Sequence, residues 1–489
     1  MKIRYTLFVI AFVAGSNSTY AQFARDAVRF STFQTGSTSR LKGIGNASTA
    51  VGGDLSSISA NPAGLGYFTQ SEISVTGEFD NQTTNATYLG KQVTATKGSP
   101  NGSQFGAVFY TRLNTPRGQS KTEGFVSLNY GVAYARTNNF YERVNTNGLN
   151  NANSINNYYA NLANSEGVDN GTLQDWAYQH QLISRYGTAT NNSFAPNSYP
   201  GVNQTGDINR TGGQSALDFS AGTNYNNKLY LGLNISVANL RYKSTKTFNE
   251  TGTATIPQTG GPVDRGYNSQ YSQIQDTKGE GFSAKLGVIY KVVEYVRLGA
   301  TITSPTFLTI DDSFSETLGT SLNGGASYED GIEYPTTYSM RTPFKASGGI
   351  SVFVGQYGFI TGDVEYVDYA STNISSSDIY TNNFDLGVIK NNYRSVVNLR
   401  AGVEAKIVKI VSLRAGYGLQ PSPLKTGGFD TKTLTGGLGL RLGNYYADAA
   451  YVRVTGLRNE LYYDIGPTSP AADINQKNNN FFLTVGFRY

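Results

Sequence analysis

The chain has 489 residues, 39 Lys and Arg against 34 Asp and Glu, a formal charge of +5 and no cysteine. The lack of thiols excludes disulfides, thiolate metal ligands and lipoprotein processing. Scattered basic residues without a cluster give no footprint for nucleic acid, and the length fits one large barrel with a small accessory element better than three soluble domains.

The N-terminus reads as a targeting segment. Lys2 and Arg4 precede a short apolar run from Leu7 to Ala14, and Thr19-Tyr20-Ala21 offers small residues at the positions a signal peptidase reads. Cleavage is expected before Gln22, leaving 1–21 outside the fold. The run is too short to span a bilayer as a helix, and no later stretch has about 18 consecutive apolar residues.

Residues 22–70 form a glycine-broken segment with Gly43, Gly45, Gly52, Gly53, Gly64 and Gly66. Asp54 is placed to cap a short helical turn, and Asn61-Pro62 to end it. Its apolar residues need cover, so the segment is expected inside a barrel as a plug. The alternative is a disordered periplasmic tail.

From residue 71 period-two segments recur. In 124–136, Val126, Leu128, Tyr130, Val132 and Tyr134 share one face; in 228–238, Leu229, Leu231, Leu233, Ile235 and Val237 do. The segments 281–293 and 396–407 repeat the form, and the opposite face carries glycine and charge. A two-sheet sandwich shows the same alternation, so the connections decide. Short joints at Asn226-Asn227, Val293-Glu294, Gly355-Gln356, Lys409 and Gly443-Asn444 alternate with long polar loops near 147–213, 248–275, 313–337, 373–391, 420–430 and 458–478. Short periplasmic turns alternating with long extracellular loops mark an outer-membrane barrel. The predicted fold is therefore all-β, a transmembrane antiparallel barrel of about 14 strands over 71–489. The strands are placed at 71–93, 104–113, 124–144, 214–226, 228–246, 278–293, 295–310, 338–354, 357–370, 393–407, 409–419, 430–442, 444–457 and 479–489. Asp80 to Thr84 interrupts the first. Arg453 shares an outward face with Ala447, Ala449 and Tyr451, and is placed near the outer rim because a lipid-facing Arg costs about 2–4 kcal/mol at mid-membrane. The final stretch, 481–489, alternates Phe481, Leu483, Val485, Phe487 and Tyr489 on one face. It is expected to close the sheet and to be the strand engaged by the barrel-assembly machinery.

The single histidine, His180, lies in the longest loop with Ser184 nearby, which is weak support for catalysis. No His, Asp or Glu cluster has metal-ligand spacing, so neither metal nor cofactor is expected and the chain is not read as an enzyme. The stretch 42–53 lacks the Gly-Lys-Ser/Thr ending of a phosphate loop. Lys285, Lys291, Lys345 and Arg400 have lumen phase. Each either meets a ligand carboxylate or pairs internally with Asp363, Glu365 or Glu404. Trp176, Tyr178 and Leu182 belong to a stretch of partly helical spacing that either packs on itself over the mouth or forms a ligand-capture surface.

Residues 40–65, with Asn61-Pro62-Ala63-Gly64 after a Gly-rich stretch and Asp54, resemble the N-terminal hatch of the FadL/TodX outer-membrane transporters. Gly362-Asp363-Val364-Glu365-Tyr366 and Leu413-Arg414-Ala415-Gly416-Tyr417 agree with that resemblance, and the Asn-rich insertion at 147–213 departs from it. The resemblance implies a fourteen-stranded barrel plugged by a hatch in the bacterial outer membrane. It implies passive transport of hydrophobic molecules, of the long-chain fatty acid or aromatic hydrocarbon type, through an internal pocket. It also implies a lateral opening at a kink in the third strand, for which Thr137-Asn138-Asn139 is the candidate. The alternative function is a partner-binding barrel of a type IX secretion system, since the Tyr-rich loop suits an interface.

Overall fold

The computed structural model describes residues 22–32, 36–114, 122–188, 191–376 and 379–489. The expected signal segment lies outside them. The chain begins with α1 (Gln22–Ser31) and α2 (Ser39–Gly43), followed by two 3-10 turns at Leu55–Ile58 and Pro62–Tyr67. The wall then rises and falls. β1 (Glu72–Tyr88) turns through Leu89-Gly90 into β2 (Lys91–Arg112), and β3 (Phe125–Asn139) is continued upward by β4 (Glu142–Asn150). An extracellular insertion follows: α3 (Ile155–Glu166), α4 (Leu173–Gln179) and a flap of β5 (Ile183–Thr188) with β6 (Asn191–Pro196). Three long strands come next, β7 (Val202–Tyr225), β8 (Leu229–Ile256) and β9 (Val263–Val293). β10 (Val296–Thr303) is prolonged by β11 (Phe307–Leu322), which turns into β12 (Ser327–Arg341) and descends as β13 (Lys345–Val354). β14 (Gly358–Asp368) is prolonged by β15 (Asn373–Ser376), and α5 (Ile379–Asn392) crosses to β16 (Ser395–Val408). β17 (Val411–Gln420), β18 (Thr431–Leu442), β19 (Tyr445–Leu461) and β20 (Ala471–Arg488) complete the wall.

Eighteen of these strands form one antiparallel sheet. Four of them, β4, β11, β12 and β15, extend neighbouring staves above the membrane, so the closed barrel has 14 strands. Closure is a full ladder between β1 and β20, from Glu72↔Arg488 to Thr87↔Asp473. It leaves no open edge, as hydrocarbon requires of a backbone with no other partner. The outward residues follow the sequence pattern: Leu231, Leu233, Ile235 and Val237 on β8 and Phe481, Leu483 and Val485 on β20 are exposed on the outside of a protein whose inner face is polar. A closed wall with an apolar belt is a barrel of the bacterial outer membrane.

Several expectations are corrected. The polar stretches 248–275 and 313–337 are mostly paired β-structure, not loops: β8 and β9 stay in register out to Ile256↔Val263, and β11 and β12 out to Ser321↔Ser327. Above the lipid the outward face of a strand meets water instead of hydrocarbon while the inward face stays buried, so the apolar-outward alternation disappears while the ladder continues. For the same reason β1 runs unbroken through Asp80–Thr84, and β2 begins at Lys91 rather than near 104. The third strand does not run continuously to 144 but breaks between Asn139 and Glu142.

Candidate functional site

The hatch is built from local turns that present backbone to the wall. The Asp54 carboxylate accepts the Ser56 N–H at 3.0 Å and caps the first 3-10 turn. Asn61 caps the second, accepting the Ala63 N–H at 3.1 Å, with Pro62 at the first position where its fixed φ suits a helical start. The Asn61 amide also donates to the Thr49 carbonyl at 2.6 Å and to the Val288 carbonyl of β9 at 3.3 Å. Asn61 and Pro62 lie on lumen glycines. A Cβ at Gly287 meets Asn61 Oδ1 at 2.0 Å, one at Gly232 meets the Pro62 carbonyl carbon at 2.2 Å, and one at Gly222 meets the Pro62 oxygen at 2.6 Å. Ala63 is fully buried beside Tyr230 and Ile289, and the Gly64 carbonyl accepts the Gly53 N–H at 3.1 Å. On the adjoining β10, Gly299 abuts Thr49, and farther round the wall Gly402 and Gly416 abut Ile44. The glycine seen on the inward face in strand after strand is the space the hatch backbone occupies.

Charge and hydroxyl groups pin what the glycines admit. Asp363 accepts the Ser48 and Thr49 N–H groups at 2.7 and 2.9 Å and the Thr49 hydroxyl at 2.8 Å. Arg40 donates to both oxygens of Glu404 at 2.8 and 3.1 Å. Arg414 shares Glu404 at 2.7 Å and reaches Asp448 at 2.7 Å. Thr484 of the closing strand bonds the Ser39 hydroxyl at 2.8 Å.

The four cations of lumen phase separate. Lys285 donates to the Ser59 carbonyl, and Lys345 reaches the Ser31 carbonyl at 3.5 Å, so both engage the hatch main chain. Arg400 pairs with Glu365 at 2.8 Å. Lys291 sits at the periplasmic end of β9, 3.9 Å from Glu294 on the exposed turn, away from the other three.

A cavity of about 70 Å³ lies between α1 and the inner wall, lined by Phe30, Ala216, Ala238, Leu308, Thr137 and Lys285 among others. Thr137 belongs to the irregular end of β3. Pairing of β2 with β3 stops at Gln104↔Ala135, the β3–β7 register shifts between Arg136 and Asn138, and β3 ends at Asn139. The Asn138 amide donates to the Thr32 carbonyl at 2.7 Å, and the Phe140 ring packs edge-on against Phe30 with centroids 5.8 Å apart. Outside that break, Tyr141 lies beneath Lys97 and Arg136 at 5.1 and 5.8 Å. The candidate kink, the cavity and the first hatch helix therefore touch one another.

Above α1 opens a polar chamber of about 500 Å³ containing Arg25, Arg29, Arg210, Lys246, Arg458 and Glu460. Glu142 is paired with Arg210 and lies 2.8 Å from Arg458; Glu460 lies 2.6 Å from Arg458 and 3.4 Å from Lys246. Burial alone would raise the Glu142 carboxyl, but the Arg458 and Arg210 charges outweigh it and hold it down at about 2. Glu460 is likewise pushed up by burial and pulled well below the carboxylate range by Lys246, Arg210 and Arg458.

A lid closes the mouth. Trp176 and Leu182 are buried in its core with Tyr159, Ile155 and Tyr88, while Tyr178 faces outward. Glu250, fully buried, accepts the Ile155 N–H at 3.0 Å and the Tyr267 hydroxyl at 2.7 Å beneath the lid. His180 ends α4 with both ring nitrogens engaged, Nδ1 3.1 Å from the Thr320 hydroxyl and Nε2 2.9 Å from Asp330, and it stacks on Tyr328. These partners belong to the β11–β12 hairpin.

Sequence reasoning missed Phe30, Ala216, Ala238 and Leu308, and the chamber cations Arg210, Lys246 and Arg458. The signal for the cations was their inward phase on strands continued above the belt, which is readable only once those segments are known to be paired.

The chain matches no protein-family model and no curated protein. Solved structures do resemble it. The toluene transporter TodX of P. putida superposes with a TM-score of 0.53 at 12% identity, covering 93% of this chain and 99% of that one. A Pseudomonas aeruginosa FadL homologue gives 0.50 at 13% identity, covering 93% and 98%. With the pairing order, the N-terminal plug and the closure of β20 on β1, these likenesses show that the chain has the fold of the FadL/TodX-type barrels.

Proposed function

We propose that the protein is a passive outer-membrane transporter of small hydrophobic molecules, of the long-chain fatty acid or aromatic hydrocarbon type, and that movement of the hatch governs passage. The observation that carries this reading is the position of the small cavity. It joins Phe30 of α1 and apolar side chains of the inner wall to the upper stretch of β3 where its ladder shifts register and then ends. Such a space shelters an apolar solute from the aqueous bore, at about 25 cal/mol per Å² buried. At about 70 Å³ it is smaller than the ~150 Å³ cavity that admits benzene. On this reading the small cavity belongs to a closed state, and a ligand enters it when α1 or the hatch shifts. Lys285 and Lys345 hold hatch carbonyls in that state and become available to a carboxylate head when those contacts open.

The test uses the absence of native cysteine. Ser39→Cys with Thr484→Cys places a removable bridge between hatch and wall. Oxidised protein in liposomes is expected to lose uptake of labelled oleate or toluene, and a reductant is expected to restore it. Unchanged uptake by the bridged protein rules out hatch gating, and a wild-type barrel that neither takes up nor binds either compound rules out the transport role. The exposed Tyr178 and Tyr186 favour a second reading, a partner-binding surface on the lid. Co-purification of a secreted protein, lost when both tyrosines become alanine, would support it instead.

A further inference from the structure

The outer rim carries cations in two different settings. On β8, β9 and β11 acids stand among them: Lys278 lies between Arg241 and Asp311, and Lys243 opposite Asp276. On β18, β19 and β20 they do not. Lys432 and Lys477 flank Thr455 in one register row, and Arg453 lies two residues nearer the membrane on the middle strand, opposite Leu434 and Asn479. With strands about 4.8 Å apart and about 3.4 Å per residue, the row spans about 10 Å with Arg453 about 7 Å below its centre. Among the described residues none of the three makes an ion pair or hydrogen bond, whereas the nearby Asp430 carboxylate accepts the Ser422 N–H at 3.0 Å and faces its own loop.

The height of this triangle is fixed by what lies beneath. Going up β18 the outward residues are Leu440, Leu438, Gly436 and Leu434, then Lys432. Going up β20 they are Val485, Leu483, Phe481 and Asn479, then Lys477. Tyr451 and Phe481 pair with ring centroids 5.1 Å apart, and the Tyr451 hydroxyl donates to Asn479 Oδ1 at 2.7 Å. That is an aromatic girdle with its polar tip upward, which marks the end of the hydrocarbon. Three like charges just above it repel one another unless an anion lies between them.

We infer that Lys432, Arg453 and Lys477 form a binding site for the phosphate-bearing head of an outer-leaflet glycolipid, whose acyl chains lie on Leu434, Leu483 and Phe481 below. Charge complementarity selects phosphate, with Arg453 supplying the forked donor and the lysines point charges. The continuous apolar wall under the triangle selects a lipid over a free anion.

The test is native mass spectrometry of the full-length detergent-solubilised barrel with added diphosphoryl lipid A. Wild type is expected to retain lipid A and to release it as salt rises. Lys432→Gln, Arg453→Gln and Lys477→Gln together are expected to weaken retention by about a hundredfold, and Arg453→Gln alone by about fivefold, at the weight of one cation per interfacial contact. The single variant carries the test if the triple one fails to give a heat-modifiable barrel. A matched Arg241→Gln, Lys278→Gln variant is expected to bind like wild type. Equal retention of dephosphorylated lipid A by wild type, undiminished retention by the Arg453 variant, or equal loss in the Arg241/Lys278 control would overturn the proposal.

Discussion

Gly287 shows how a single hydrogen atom fixes the plug. Its inward face carries the Asn61 side-chain oxygen Oδ1 2.0 Å from where a methyl group would stand. Gly287→Val therefore forces the hatch off the wall at the centre of its motif while leaving the outward face of β9 untouched. Overpacking of this kind costs about 1–3 kcal/mol. The expected outcome is a barrel that still shifts on unheated gels but whose residues 40–65 are cut by protease at rates at which wild type survives; an equally protected hatch would show that the fit is not tight. The motif residues were legible in the sequence, because Asn, Pro and Gly each have a local reason to stand where they do. Their partners were not. Glycine on an inward face was visible, but nothing in a strand's own pattern says which backbone approaches it. The lumen lysines show the same limit: phase placed Lys285 and Lys345 inside, and only the folded hatch shows Ser59 and Ser31 carbonyls at their tips. Lys291 had the same phase, and its position at the strand's periplasmic end governs its surroundings.

At the scale of elements, the membrane belt was legible and the extracellular half was not. Alternation is a record of two different solvents, so it identified β16 and β20 and failed for the upper halves of β8 and β9. The lid is the clearest case. Trp176 and Leu182 have the composition of a binding surface, yet they form its core. Among the contacts that fasten that lid to the barrel, beside Glu250 under α3, is His180. Burial lowers its pKa from 6.5, and the Asp330 hydrogen bond opposes the shift without reversing it. The unfolded lid thus binds a proton more readily than the docked one. By linkage the docked form has its full stability above about pH 6.5 and loses it as pH falls below that value. Protection factors across α3 and α4, taken relative to intrinsic exchange at each pH, are expected to fall between pH 8 and pH 5.5 in wild type and to lose that dependence in His180→Gln. Identical protection at both pH values would exclude the histidine as a fastener.

For the whole molecule, closure rests on the β1–β20 seam. At its periplasmic end the Arg488 guanidinium lies 2.8 Å from Glu72, Tyr446 donates to the same carboxylate at 2.5 Å, and the Tyr489 N–H bonds the Ser71 carbonyl at 3.0 Å. Removing Phe487, Arg488 and Tyr489 takes away the terminal rungs of the closing ladder and the Arg488–Glu72 pair that holds the seam at its periplasmic end. The expected result is loss of the heat-modifiable species and degradation before insertion; a normal yield of folded barrel would show that the upper ladder suffices. Fold class and strand number could be read from the chain because closure and alternation are global constraints that every strand reports.

The hatch meets the wall by backbone contact on both sides of the bore, against Gly222 and Gly232 on one and Gly402 and Gly416 on the other. A bore blocked in this way is expected to carry no steady ionic current. A cell can therefore hold many copies without becoming leaky to salts, sugars or water-soluble antibiotics, and the barrier function of its envelope survives the presence of a wide cylinder through it.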